Sequence, residues 1–254
     1  MNAMLFAAGL GTRLRPYTDH CPKAMVKVDG IPMIAHQLCK LRMAGITHVV
    51  INVHHFAEQI INYVNANNGF GLKVTFSDER GKLLDTGGGI RKALPLFMPN
   101  EPVLVHNVDI FSNTDLNALC RVHEKSENDA SLLVSRRDTS RYLVFDADDS
   151  LVAWKNVKTG EVRTANRETA QVLTDIGHED NAGYRLRAFS GIHVISPALF
   201  PVLECCDEVF SIIDFYWQHS VKYHIRCVDA PADFRWVDAG KPEMLLLAAE
   251  VLKT

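Results

Sequence analysis

NAMLFAAGLGTRLRPYT, residues 2–18, sets an apolar run against two glycines, two arginines and a proline. The apolar part reads as a short buried strand that ends at Gly9. Gly9 and Gly11 let the backbone approach a ligand closely, and successive N–H groups in such a loop can form an anion-binding nest. Arg13 adds a forked cation that can hold phosphate oxygens at two points, and Lys23, a few residues on, adds a point charge. The loop is not a Walker A loop, since it lacks G-K-[ST]. It is not a full G-x-G-x-x-G either, because Leu14 stands at the last position. On residue chemistry alone, a tight turn with exposed cations accounts for the glycines as well as a phosphate site does.

Outward from this loop the chain alternates. PMIAHQLCKLRMAGI (32–46) puts Ile34, Leu38 and Leu41 on one helical face and stops at Gly45. THVVINV (47–53) is a β-branched strand, FAEQIINYVNANNG (56–69) a helix and LKVTFSD (72–78) a strand. IRKALPLFM (90–98) follows three glycines as a short helix. PVLVHNVDIF (102–111) reads as one strand, nearly continuous in apolar residues before Asp109. DLNALCRVHEKS (115–126) is helical and DASLLVSRR (129–137) a strand. Such βαβ alternation predicts an α/β fold with a mostly parallel sheet. Ligands of these sheets sit at the carboxyl ends of strands, where both the Gly9 loop and Asp109 fall.

Residues 138–187 are polar and read as hairpins and loops. AFSGIHVIS (188–196) resumes a strand, and FSIIDFYWQHSV (210–221) is a helix. HIRCVDA (224–230) and FRWVDAG (234–240) are late strands, and KPEMLLLAAEVLK (241–253) is a terminal helix with Pro242 in its first turn. No repeat or linker divides the chain, so one domain over 1–254 is expected.

Composition narrows the function. A chain of 254 residues can bury a core without staples. A net charge of −3 argues against a nucleic-acid partner. Six scattered cysteines without a C-x-x-C pair point to free thiols in a reducing cytoplasm, not to zinc or disulfides. No apolar run approaches the ~20 residues of a membrane span, and the first residues make a poor signal peptide, so no membrane association is expected.

Two aspartates stand out. Asp109 ends an apolar run, a costly place for a carboxylate without a partner. Asp238, in FRWVDAG, repeats the context of apolar strand, aspartate, glycine and helix. Each could cap the next helix. Together they could hold Mg²⁺, which takes one or two protein carboxylates and completes its shell with waters and phosphates.

FAAGLGTRLRPYT and PKAMVKVDGIPMI, with LLDTGGGIRKAL, VHNVDIF, FSGIHVIS and WVDAG following in order, resemble the signature of the sugar-1-phosphate nucleotidyltransferases, or nucleotide-sugar pyrophosphorylases. The resemblance runs nearly the whole length. It is strongest to short members without a C-terminal β-helix, such as the N-acetylmuramate-1-phosphate uridylyltransferases; mannose-1-phosphate guanylyltransferases share much of the pattern. It implies a Rossmann-like, mixed but mostly parallel sheet flanked by helices, of the nucleotide-diphospho-sugar transferase type. Residues 1–137 would form a nucleotide-binding half and 138–254 a sugar-binding half. The implied reaction joins an NTP and a sugar 1-phosphate and releases pyrophosphate, with Mg²⁺ as cofactor. UTP and an amino-sugar or muramate-type 1-phosphate are the favoured substrates. A mannose-1-phosphate guanylyltransferase and a non-catalytic nucleotide or sugar-phosphate binder are the alternatives.

The resemblance also implies site residues. Arg13 would contact the triphosphate and Lys23 would neutralise the reacting phosphates. The backbone of Ala7, Ala8, Gly9, Gly11 and Thr12 would meet the nucleotide. Thr86 and Gly88 would contact the base, with Glu79 nearby. Asp109 and Asp238 would hold the metal, and Gly191 would lie by the sugar. Two departures stand out. Val108 replaces the glycine usual before the metal aspartate, and the E-K-P lysine is absent, since Lys155 and Asn156 lie in surroundings that do not match.

Overall fold

The apolar runs become the middle of one sheet. The computed structural model describes residues 1–166, 170, 172–173 and 183–253. β1 (Asn2–Phe6) is followed by a small hairpin of β2 (Lys27–Val28) and β3 (Ile31–Pro32). β4 (His48–Val53), β5 (Lys73–Asp78) and β6 (Val103–Asn107) then join β1 in the parallel order β5-β4-β1-β6. β1, β4 and β6 are rich in apolar residues because both of their faces are covered, whereas β5, at the edge, is half-exposed. Along β1, Ala3 and Leu5 pack to one side and Met4 to the other. The first side is closed by α1 (Met33–Met43), α2 (Ala57–Ala66), α4 (Leu116–Lys125) and α7 (Leu245–Val251). The second is closed by α3 (Asp85–Ala93), α5 (Phe200–Glu204) and α6 (Ile212–His219).

The polar half adds antiparallel strands, which makes the sheet mixed. β7 (Ile110–Ser112) is followed by β8 (Ala130–Ser135), β9 (Arg141–Phe145), β10 (Leu151–Asn156) and β11 (Val162–Arg163). β12 (Arg185–Ile195) is the junction. Its last four residues pair with β6, its other edge with β8, and its first three residues with β9, which continues to β10 and β11. Its register against β8 shifts between Phe189 and His193, and Gly191 lies in that irregularity at φ +76. β13 (Ile225–Asp229) pairs with β8, and β14 (Trp236–Asp238) pairs with β7.

Three differences from the sequence reading bear on the site. Residues 102–111 are not one strand. β6 stops at Asn107, the chain turns at Val108–Asp109, and β7 leaves the sheet to pair with β14. Gly87–Gly89 lie inside α3 instead of preceding it. The short α5 carries only five residues, too few for a visible helical period. Among the described residues, no helix is long and apolar enough to cross a membrane.

Burial of histidine sets the pH response. Burial pushes His106 and His193 down to about 3 and His123 down to about 4. These rings fold neutral, while the unfolded chain binds their protons below about pH 6.5. Stability is therefore complete above pH 6.5 and is lost as pH falls toward 3. Neither ring nitrogen of His193 has a hydrogen-bond partner. Denaturant titrations at pH 7, 6 and 5 should show His193→Phe losing stability more slowly on acidification than the parent, by about 1 kcal/mol per pH unit. Parallel pH slopes would refute this assignment.

Candidate active site

The carboxyl ends of β1, β4 and β6 open onto a cleft of about 560 Å³. Eight of the residues picked out from sequence line it: Ala8, Gly9, Arg13, Lys23, Glu79, Thr86, Asp109 and Asp238. The loop after β1 is pinned by Leu14 and Ala24, both fully buried, and this pinning holds Arg13 and Lys23 toward the cleft. Gly11 begins the short turn Thr12–Leu14 at φ +67, and a Cβ there would lie 2.8 Å from Thr18 Cγ2. Its glycine is required by the turn and its close packing.

Two cation–carboxylate pairs form the head of the cleft. Lys23 Nζ donates to Asp109 Oδ2, and Arg13 Nη2 lies 3.5 Å from Asp238 Oδ2. The β7–β14 ladder sets Asp238 opposite Ile110, and the Ala239 N–H donates to the Asp109 carbonyl at 2.8 Å. That ladder is the reason two aspartates distant in sequence become neighbours. Burial raises the Asp109 carboxyl; the Lys23 charge opposes this and the Asp238 charge reinforces it. Burial pushes Asp238 the same way. It is outweighed by the Asp109 hydrogen bond, the Gly240 N–H at 2.8 Å, and the charges of Lys23 and Arg13, so Asp238 titrates low. Two carboxyl groups this close separate in acidity, one held as the stronger acid.

A divalent cation fits this donor set. Both donors are hard oxygens and two carboxylates suffice for Mg²⁺. The space beside them is kept by Gly240, where a Cβ would fall 2.7 Å from Asp238 Oδ1 and 3.2 Å from Asp109 Oδ2. Behind the pair, α1 braces β7. Gln37 Nε2 donates to the Ile110 carbonyl at 2.8 Å and Lys40 Nζ to the Ser112 carbonyl. Burial pushes the Lys40 amine down to about 8.

Other expected residues stand differently. Ala7 does not line the cleft, and its N–H is taken by Asn52 Oδ1 at 2.7 Å; the Ala8 N–H shares that oxygen at 3.3 Å. Gly11 and Thr12 lie off the wall. Gly88 also faces away, because a Cβ there would sit 2.2 Å from the Glu208 carbonyl oxygen. It is Gly89 that turns to the floor, 3.1 Å from Glu79 Oε1 by the same measure. Thr86 lines the wall, and its Oγ1 accepts from the Ile212 N–H at 2.9 Å. Gly191 supports the wall from behind, against Asn107 and Ile110.

The sequence reading missed Asn52, Phe6 and Asn107, which complete the floor. Asn52 Nδ2 donates to Glu79 Oε1 at 2.8 Å, so one side chain ties the glycine loop to β5 and α3. Its signal was an amide inside the β-branched run VVINV, where desolvation costs unless it is fully bonded.

The profile described as "Nucleotidyl transferase" matches residues 2–162. The N-acetylmuramate alpha-1-phosphate uridylyltransferase of Caulobacter vibrioides is 30% identical over 257 residues, covering 97% of this chain and 94% of that one. The protein of the same name from Neisseria meningitidis serogroup B is 41% identical over 210 residues, covering 80% of this chain and 84% of that one. Among solved structures, HddC from Yersinia pseudotuberculosis superposes with a TM-score of 0.72 at 21% identity, covering 99% of both chains.

The glycine contacts lead to a stability test. Gly88→Ala drives a Cβ into a backbone carbonyl and should cost about 1–3 kcal/mol. Gly81→Ala, with nothing within 4 Å, should stay within about 0.5 kcal/mol. Urea unfolding of both variants checks this, and equal midpoints would contradict the packing described.

Proposed function

The chain belongs to the nucleotidyl transferase family and is a sugar-1-phosphate nucleotidyltransferase, and from that premise we propose that it uses UTP and an N-acetylmuramate-type sugar 1-phosphate, with Mg²⁺ as cofactor. The observation that carries the reading is the pairing of Lys23 with Asp109 and Arg13 with Asp238 at the head of one cleft. Two cations and two carboxylates balance there. A polyanion with its divalent ion is the partner that can take both sets at once, phosphates on the cations and metal on the carboxylates.

The roles follow from position. Arg13, half-exposed at the mouth, binds and orients the leaving phosphates. Lys23, buried deeper, faces the phosphate under attack and offsets its growing negative charge. Asp109 and Asp238 would hold Mg²⁺, which supplies positive charge to the reacting phosphate oxygens. The Gly9 loop lets the nucleotide lie against backbone, with Asn52 fixing that loop. Phe6, Glu79 and Thr86 offer one apolar face and two polar groups to the base. Little covalent work falls to the protein; its task is to align two anions that repel each other. The uracil and muramate assignments rest on the names of the two relatives above.

Pyrophosphate release across the four NTPs and a panel of sugar 1-phosphates tests the substrate reading. Fastest turnover is expected with UTP and N-acetylmuramate 1-phosphate; preference for GTP with mannose 1-phosphate would replace it. Asp109→Asn should lower kcat by about 10²–10³-fold while changing UTP affinity, read by calorimetry without metal, by less than about tenfold. Undiminished turnover would remove Asp109 from the reaction.

A further inference from the structure

β12 backs the cleft at its bulge and borders a second cavity. Gly191 packs on Asn107 and Ile110 of the cleft wall. Phe189, two residues earlier, lines a neighbouring cavity of about 470 Å³. Its charged lining is Arg137, Arg141, Arg163, Glu161 and Asp214. Arg163 is satisfied, with Nε 2.8 Å from Glu161 and Nη1 3.0 Å from Asp214. Among the described residues, neither Arg137 nor Arg141 has a carboxylate at ion-pair distance.

Arg137 is built in. Its guanidinium stacks 3.8 Å from the centre of the Trp236 ring, and Nη2 donates to the Phe189 carbonyl at 2.7 Å. Nε is buried without a partner. Burial pushes its acidity toward the neutral form, with the Asp238 charge opposing. An arginine stays charged at such a site, so an incoming anion gains more there than at the surface. Trp236 and Asp238 point to the same face of β14, and residues two apart on a strand are about 7 Å apart. Stacked on Trp236 and felt by the Asp238 charge, Arg137 lies on the side of β14 that carries the carboxylate pair.

We propose that Arg137, with Arg141 at the rim, forms a carboxylate subsite for an acidic substituent on the sugar ring, such as the lactyl ether of muramate. This rests on the acceptor reading above and adds the groups that recognise it. A neutral hexose 1-phosphate would leave the subsite without its anion.

N-acetylmuramate 1-phosphate and N-acetylglucosamine 1-phosphate differ only in the lactyl ether. The test compares kcat/KM for the two, with UTP, in the parent, Arg137→Gln and Arg141→Gln. Arg141 is exposed, so its replacement keeps the fold. The parent should prefer the acidic sugar. Each variant should reduce that preference, Arg137→Gln by about ten- to a hundredfold, through KM for the acidic sugar. An unchanged ratio in both variants overturns the subsite and leaves the acceptor reading standing. Equal losses on both sugars also overturn it, since a mere hold on the Phe189 carbonyl would act on both. A parent that does not prefer the acidic sugar overturns the subsite and the acceptor reading together.

Discussion

Two carboxylates from distant parts of the chain are held side by side in a half-buried cleft, and the rest of the structure serves that juxtaposition. Left alone, Asp109 and Asp238 would repel each other and pay for lost hydration. Lys23 and Arg13 offset both costs, and both cations come from the single loop after β1. The glycines of that loop and the buried Leu14 fix where the cations stand. The turn at Val108–Asp109 and the β7–β14 ladder fix where the carboxylates stand.

The sheet explains why so short a loop suffices. β1 lies between β4 and β6, buried on both faces, so the ends of all three strands share one rigid edge. Asn52 at the end of β4 and Asp109 just past β6 then flank the glycine loop without any long connection. Asn52 spends its oxygen on the loop and its nitrogen on Glu79. Loop, β5 and α3 are thereby coupled through one amide, a network in which each buried group is answered.

Much of this was legible in the sequence. The βα alternation through residue 137 and the fold class followed from periodicity and turn residues. Asp109 and Asp238 were legible because charge at the end of an apolar run is costly and needs a reason, and Arg13 and Lys23 because they are cations gathered in or just after a glycine loop. The order of motifs then joined them. Tertiary geometry hid the rest. The triple glycine looks the same in sequence whether it faces a base or a neighbouring backbone. Gly88 meets the Glu208 carbonyl, more than a hundred residues away, which no local pattern encodes. The break between β6 and β7 was hidden because Ile110 and Phe111 are as apolar as the strand before them; only pairing with β14 decides it. Asn107 and Arg137 acquire their places from β12, whose bulge is likewise a matter of register.

The two ends of the ligand path differ in kind. On the proposed nucleotide side Arg13 and Lys23 each have an internal carboxylate partner, so phosphates binding there would exchange one set of ion pairs for another and the net gain would be modest per contact. In the proposed reading, discrimination on that side falls to shape and to the polar groups of the cleft wall, Glu79 and Thr86 among them. On the proposed sugar side Arg137 has an aromatic platform and a carbonyl but, among the described residues, no carboxylate at ion-pair distance. An anion arriving there displaces no internal carboxylate, so its interaction adds to binding undiminished by exchange. In the proposed reading, the two cations that meet the triphosphate are already paired, and the arginine that tells one sugar from another is not.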